Sequence, residues 1–378
     1  MKNIQMVDLT TQYETICREM DDAILNTVRS GKYINGPQVD RFAGQLSSFT
    51  GARYVIPCAN GTDALQIALM ALNLRPGDEV IIPAFTYAAA IEVAILLGLA
   101  PILVDVDPLT YNIDPERIIE AISSKTKAVI PVHLFGHTCH MDPIKKLCRT
   151  RGIHIIEDNA QSIGAVYTFP DGKNRQAGTI GDIGTLSFFP SKNLGCYGDG
   201  GAILTDDEGL AEKLRMIATH GQQKKYRHEI IGCNSRLDTL QAAVLEVKLK
   251  YLEAYIKARQ QAAAYYEEGL HVLKEHIETP CEMTYSTHVF HQYTIQVKKG
   301  KRDSLQRYLK EHDIPSMVYY PVPLQKQNAF RNVSRIRGDL EITNRLCESV
   351  LSLPMHTELD IEQQDYIIHT IKEFFQYN

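Results

Sequence analysis

The chain has 378 residues, 44% of them hydrophobic and 22% charged, which is the composition of an ordinary folded protein large enough for two domains. A net charge of −5 argues against nucleic acid or an anionic membrane surface as partner, and the one basic cluster, Lys224-Lys225-Tyr226-Arg227-His228, is too short to be an electrostatic footprint by itself. Eight cysteines without a CxxC pair or framework, an N-terminus without an apolar signal-type core, and a longest apolar run (84–106) broken by Glu92, Gly98 and Pro101 predict a reduced, cytoplasmic protein that does not span a membrane.

Residues 1–30 hold an amphipathic helix, with Ile16, Met20, Ile24 and Leu25 at helical spacing and a stop at Ser30-Gly31; a second helix fits 38–50. From there to about 205, strand-like runs at 54–58, 79–83, 102–106, 128–132, 153–157, 185–188 and 202–204 alternate with helical stretches at 62–72, 88–97, 115–122 and 142–149. Strands apolar on both faces and separated by helices predict a mainly parallel sheet covered on both sides. Residues 238–268 contain no Gly or Pro, and Leu240, Val244, Val247, Tyr251 and Tyr255 recur at helical spacing, predicting one long helix that leaves the large domain. A strand at 291–297, a helix at 301–311, a strand at 316–320 and helices near 338–350 and 360–376 then read as a small α+β domain. The predicted division is a large α/β domain over 1–250, with a helical arm at 1–30, and a small domain over 251–378.

Chemistry concentrates in Ser187-Phe188-Phe189-Pro190-Ser191-Lys192-Asn193-Leu194-Gly195, where one lysine stands between an apolar strand and a glycine-dense turn. Lys192 is either a solvated ammonium or a carbonyl-trapping amine kept partly unprotonated by apolar neighbours. The apolar run 153–157 ends in Glu157-Asp158, and strand ends are where ligands sit in an open α/β sheet. Asp158 and Lys192 could also be a plain ion pair. Cys58-Ala59-Asn60-Gly61-Thr62-Asp63 reads as strand, turn and helix start, a cradle for an anion, although Thr62 could equally be a helix cap. GxxxxGK[ST] is absent, and the glycines at 195, 198, 200 and 201 precede a strand, so neither a P-loop nor a dinucleotide fingerprint is present. His133, His137, Cys139 and His140 cross a strand end and a turn with no second Cys/His pair near them, and the expectation is that no metal binds there. Phosphate cradle, strand-end Asp and strand-end Lys match the three handles of pyridoxal phosphate: its phosphate, its pyridine nitrogen and its aldehyde carbon.

With Ala59-Asn60-Gly61-Thr62-Asp63-Ala64-Leu65, Pro83-Ala84-Phe85-Thr86-Tyr87, Glu157-Asp158-Asn159-Ala160-Gln161-Ser162, the Lys192 segment and Asn234-Ser235-Arg236-Leu237-Asp238, the chain resembles the DegT/StrS-type nucleotide-sugar aminotransferases over nearly its whole length. The resemblance implies the aspartate-aminotransferase fold (fold type I), with pyridoxal 5'-phosphate as cofactor, passing through its pyridoxamine form. It implies Lys192 as the residue joined to the cofactor's aldehyde carbon, Asp158 on the pyridine nitrogen and Gln161 against the ring hydroxyl. Tyr87 would stack on the ring, Gly61, Thr62 and Ser187 would hold the phosphate, and Asn234 would reach it from the partner subunit of a homodimer. Some relatives carry His at the lysine position and dehydrate sugars; Lys192 argues for transamination.

The Lys192 segment through Gly201, with His220-Gly221-Gln222, looks most like the enzymes that aminate carbon 3 of UDP-linked 3-keto-N-acetylglucosaminuronic acid for surface polysaccharide such as O-antigen. L-Glutamate is then the expected donor, and Arg236 the expected contact to the uronic carboxylate, its alternative being a structural ion pair. The alternatives are a dTDP-3-keto-6-deoxyhexose as substrate, or a cofactor- and sugar-binding regulator without turnover. Where relatives usually read His-Tyr-Pro-x-Pro-Leu-His, this chain has Tyr319-Tyr320-Pro321-Val322-Pro323-Leu324-Gln325. Tyr319 and Tyr320 are still expected at the sugar, but the missing histidines set this chain apart in the substrate loop.

Overall fold

Alternation of buried side chains builds the centre of the molecule. The computed structural model describes residues 3–377. In chain order it runs α1 (Leu9–Ser30), α2 (Pro37–Thr50), β1 (Tyr54–Cys58), α3 (Gly61–Ala71), β2 (Glu79–Pro83), α4 (Ala89–Leu96), β3 (Ala100–Val104), α5 (Pro115–Ala121), β4 (Thr126–Val129), α6 (Met141–Arg151) and β5 (His154–Asp158). A hairpin, β6 (Val166–Thr168) and β7 (Asn174–Gln176), precedes β8 (Ile183–Ser187), β9 (Gly201–Thr205) and α7 (Glu208–Ala218). The order β1-β9-β8-β5-β4-β2-β3 forms the large sheet, in which β9 alone runs against the others. Along β2, Val80 and Ile82 join the core under α3, α4 and α7, while Ile81 points to the opposite core with α5 and α6. That period of two explains why the strand is apolar throughout: both faces are covered.

The opposite face at the β1–β9–β8 end is covered by α1, α2 and α8 (Thr239–Leu249), through Met20, Phe42, Leu46, Leu186, Leu204 and Leu245. The predicted helix over 238–268 is in fact two, α8 and α9 (Leu252–Leu270), parted at Lys250-Tyr251. There the amides of Lys250 and Tyr251 donate to Val247 and Lys248, a tighter i−3 pattern that turns the chain without glycine or proline. The second core gathers α9, α10 (Arg302–Glu311) and α12 (Ile361–Tyr377) on an antiparallel sheet of Ile277–Glu278, Tyr293–Val297 and Val350–Leu353. The third strand was not anticipated, whereas the predicted strand at 316–320 is only a single bridge, Met317 to Ser352.

Residues from both sides of position 250 build both cores. Ile4 packs into the smaller core, and Arg335–Ile336 adds a parallel edge to β3 in the large sheet. Asp105, just after β3, accepts from the amides of Ile342 (2.9 Å) and Thr343 (2.8 Å), capping α11 (Glu341–Ser349), whose Leu346 and Cys347 pack into the large core. Among the described residues, no helix is long and apolar enough to cross a membrane.

Candidate active site

Cys58 ends β1, Gly201 opens β9 and Ser187 ends β8, and these three are register partners in one row at the edge of the sheet. Asp158, at the end of β5, pairs with Thr185 in the neighbouring strand. The row therefore brings the three sequence motifs to one edge, as strand ends in an open sheet do.

The cradle is built on Asn60. Its side chain accepts from Asp63 N at 2.8 Å and caps α3, so the cap is Asn60 and not Thr62. A helix's first amides have no intrahelical acceptor, and here they open toward the end of β8. A Cβ on Gly61 would lie 2.7 Å from Ser187 Cβ, and one on Gly201 would lie 2.5 Å from the Asn60 carbonyl. Glycine at both positions lets backbone and the Ser187 hydroxyl converge on the helix start.

Asp158 is buried, with its amide donating to Pro131 O (2.9 Å) and its carbonyl accepting from His133 N (3.0 Å). Burial raises its carboxyl above the usual range, opposed by the Ala160 amide on Oδ1 and the charge of Lys192. Lys192 sits in the β8–β9 loop, whose turn is closed by Lys192 N to Phe189 O (2.8 Å) and Cys196 N to Phe188 O (2.8 Å). Gly195 is required there, since a Cβ would lie 2.3 Å from Pro190 O. Burial pulls the Lys192 ammonium down to about 8, against the upward pull of Asp158. Such an amine is free enough near neutral pH to attack a carbonyl, as the carbonyl-trapping reading of Lys192 requires.

Gln161 spans the site. Its Oε1 accepts from Phe135 N at 2.8 Å, and its Nε2 donates to the Tyr320 hydroxyl at 3.3 Å. Tyr320, whose phenol burial pushes up, lies 6.2 Å from the Tyr87 ring, and half-buried Tyr319 stands edge-on beside it. Tyr87 is 61% exposed, an uncovered ring rather than a core tyrosine.

Arg236 lines a cleft of about 610 Å³ with Asn35, Asp40, Arg215, Gln222 and Ser235, which contains none of Lys192, Asp158, Gln161 or Tyr87. Among the described residues Arg236 enters no ion pair, so that alternative is not realised within the chain. Sequence reasoning missed two further residues: Ser235, whose hydroxyl accepts from Ala59 N (3.0 Å), and buried His291, near enough to Lys192 for the lysine's charge to depress its pKa. Ser235 lies within the Asn234–Asp238 motif but has no role assigned there, and His291 lies in none, so only tertiary contact reveals what either does. The histidines considered as metal ligands are placed differently. His133 donates to Glu157, His140 stacks on Tyr285, and no group of three ligating residues occurs among the described residues.

The profile of the DegT/DnrJ/EryC1/StrS aminotransferase family matches residues 14–372. A UDP-2-acetamido-2-deoxy-3-oxo-D-glucuronate aminotransferase of Pseudomonas aeruginosa is 46% identical, with 94% of this chain and 96% of that one aligned. A "pleiotropic regulatory protein" of Geobacillus stearothermophilus is 43% identical over 99% of both chains. The crystal structure of a DegT DnrJ EryC1 StrS aminotransferase from Brucella abortus superposes with a TM-score of 0.93 at 41% identity, covering 98% of this chain and 99% of the other.

Proposed function

The chain belongs to the DegT/DnrJ/EryC1/StrS aminotransferase family and is a pyridoxal-phosphate-dependent sugar aminotransferase; from that premise we propose its substrate, its donor and the residues that act. The reading is a cytoplasmic homodimer that takes the amino group of L-glutamate and delivers it to the 3-keto group of a UDP-linked 2-acetamido-3-keto-glucuronic acid, in the synthesis of a surface polysaccharide such as O-antigen.

The residues present fit the cofactor. The Gly61–Ser187 approach leaves no room for a Cβ where a phosphate would meet the α3 amides, and Asp158 is a buried carboxylate at a strand end. Pyridoxal phosphate, when bound, supplies an electron sink and a carbonyl that exchanges amino groups. Gly61, Thr62 and Ser187 would hold the phosphate, and Asp158 would keep the pyridine nitrogen protonated, which in turn would compensate the cost of the buried carboxylate. Gln161 would orient the ring edge, and Tyr87 would cover one face. Lys192 Nζ would carry the proton taken from the donor's α-carbon, a task suited to an amine with a pKa near the working pH.

The observation that carries the substrate reading is Arg236, a guanidinium that among the described residues enters no ion pair, two residues after exposed Asn234. Exposed apolar side chains next to the cleft residue Asn35, those of Tyr33 and Ile34, favour a partner subunit that carries this surface to the neighbouring Lys192. A uronic carboxylate would then meet Arg236 in a charge-assisted pair. The test is to offer the pyridoxamine-loaded enzyme UDP-3-keto-hexuronic acid and dTDP-3-keto-6-deoxyhexose and read products by mass. Preference for the deoxyhexose sinks the uronic reading. The regulator reading, suggested by the Geobacillus relative's name, is met by a half-reaction: a binding protein leaves the visible absorbance band unchanged on adding glutamate, whereas the transaminase abolishes it.

A further inference from the structure

The loop that carries Lys192 leaves β8 after Ser187 and enters β9 at Gly201, and its two limbs are closed at the base. Phe188 N donates to Gly200 O (2.8 Å), and Cys196 makes two bonds to Phe188 O, from its amide at 2.8 Å and its thiol at 3.0 Å. The tip, 189–195, holds Lys192 at its middle, and Asn193 Nδ2 ties that tip to Val289 O at 2.9 Å. The returning limb reads Cys196-Tyr197-Gly198-Asp199-Gly200-Gly201, and three glycines in six residues leave it little stiffness of its own. Helix α8 supplies the stiffness. Gln241 Oε1 accepts from Tyr197 N at 2.9 Å and its Nε2 donates to Tyr197 O at 3.1 Å. One carboxamide thus takes both backbone groups of one residue, as a neighbouring strand would. The approach is close: a Cβ on Gly198 would lie 2.9 Å from Gln241 Nε2, and one on Gly200 would lie 3.0 Å from Leu237 Cδ1. Seven residues on, along the same face of α8, buried Lys248 holds its Nζ 4.6 Å from the centroid of the Tyr197 ring. Tyr197 is therefore gripped by backbone and by ring from one helix.

We propose that Gln241 is a positioning residue for Lys192: by fixing the backbone of Tyr197 to α8 it sets the returning limb of the loop, and with it the place of the lysine amine at the strand ends.

Lys192 has to bring Nζ to one carbonyl carbon while Asp158 engages the same ring, and a misplacement of about 1 Å costs about a hundred-fold in such a reaction. The flexible four-carbon stem of a lysine does not choose that point, so its backbone must. The base of the loop and the Asn193 bond fix two points, and a glycine-rich limb can still pivot about the line that joins them. The pair of bonds from Gln241 is the third point. What the carboxamide adds over an apolar side chain of equal length is registry of Tyr197 along α8.

The inference rests on Lys192 being the reactive amine of the proposed function, and the experiment separates the two. The full chain is freed of cofactor and pyridoxal phosphate is added back. Lys192 Nζ attacks the aldehyde carbon, a C=N bond replaces C=O, and one water leaves. The visible band gives the rate. Borohydride then delivers hydride to that carbon while water protonates the nitrogen, and the mass of the Lys192 peptide reports the bond. Pyridoxamine phosphate, which has no aldehyde, is titrated in parallel to read the binding site without the lysine. In Gln241→Met, which keeps the length and loses both bonds, the band should appear about ten- to a hundred-fold more slowly, with affinity for pyridoxamine phosphate changed by less than about threefold. Gln241→Leu serves where Gln241→Met fails to fold. A parental rate in the variant overturns the assignment, as does an equal loss of rate and of pyridoxamine phosphate affinity, which is what a general loosening of the fold would give. If the parent itself forms no band that borohydride fixes on Lys192, the Lys192 reading falls, and the inference with it.

Discussion

His133 Nε2 donates to Glu157 Oε2 at 2.7 Å, and neither side chain is exposed to solvent. The amide of Cys139 donates to His133 Nδ1 (3.1 Å), so the ring proton is on Nε2. Glu157 also accepts from Gly178 N (3.0 Å), Ile180 N (2.6 Å) and Gly181 N (2.6 Å). Burial alone would raise this carboxyl, but the His133 bond and the glycine amides outweigh it and hold it below the usual range. Because successive residues of a strand point to opposite faces, Glu157 anchors the 178–181 loop behind the sheet while Asp158 faces the site.

Glu157→Gln should therefore be costly without touching the site. An amide turns an NH₂ toward donors that need an acceptor, and breaking a buried network of this kind costs about 3–5 kcal/mol. Urea unfolding should show that loss as a lower midpoint with an unchanged slope. A midpoint within about 0.5 kcal/mol of the parent would remove Glu157 from the fold's essential contacts.

How much of this could be read from the residues depends on the range of the interaction. The strands of the large sheet and the Gly61, Asp158 and Lys192 motifs were legible because each is local: an apolar run, a turn and a strand end. The break at Lys250-Tyr251 was not, since two i−3 turns leave no glycine or proline behind. Asp105 capping α11, and His291 beside Lys192, join residues far apart in sequence, and no periodicity records such a meeting. His133 misled in the other direction. Imidazole and thiol crowding suggested a metal to be excluded, while the ring's actual partner was the carboxylate at the end of the next strand.

Gly61→Ala places a methyl 2.7 Å from Ser187 Cβ and 3.3 Å from its Cα, so the β8 end or the α3 start must move. Overpacking of this kind costs about 1–3 kcal/mol. Most of it should fall on cofactor binding, because the displaced groups are the proposed phosphate cradle. Titration of the cofactor-free protein with pyridoxal phosphate should show affinity lowered by about ten- to a hundred-fold. Undiminished affinity would move the phosphate site elsewhere.

Separation of Arg236 from Lys192 within one chain predicts complementation between subunits. Lys192→Ala and Arg236→Ala homodimers should each be deficient, the second by about ten- to a hundred-fold for loss of a charged hydrogen bond. Refolded together in equal amounts, half of the dimers are hybrids, each with one complete site, and activity should return to about a quarter of the parent's. A mixture no more active than its components would place Arg236 and Lys192 in the same subunit's site.

Stability should also fall on mild acidification, through histidines buried neutral. Burial lowers His137 and His356 to about 4, and both ring nitrogens of His356 lack a partner. With a folded pKa below the unfolded value of about 6.5, the unfolded chain takes up the proton first. The contribution is complete above about pH 6.5 and is lost as pH falls toward 4, about 3 kcal/mol for each histidine. The raised carboxyl of Asp158 acts in the opposite sense, since its buried charge is relieved as the pH falls through its folded value. His356→Leu removes one of the titrating groups and should flatten the fall of Tm between pH 7 and about 4.5. A variant whose Tm tracks the parent's at every pH would show that His356 is already protonated in the folded chain, with its two ring nitrogens bonded to groups that accept.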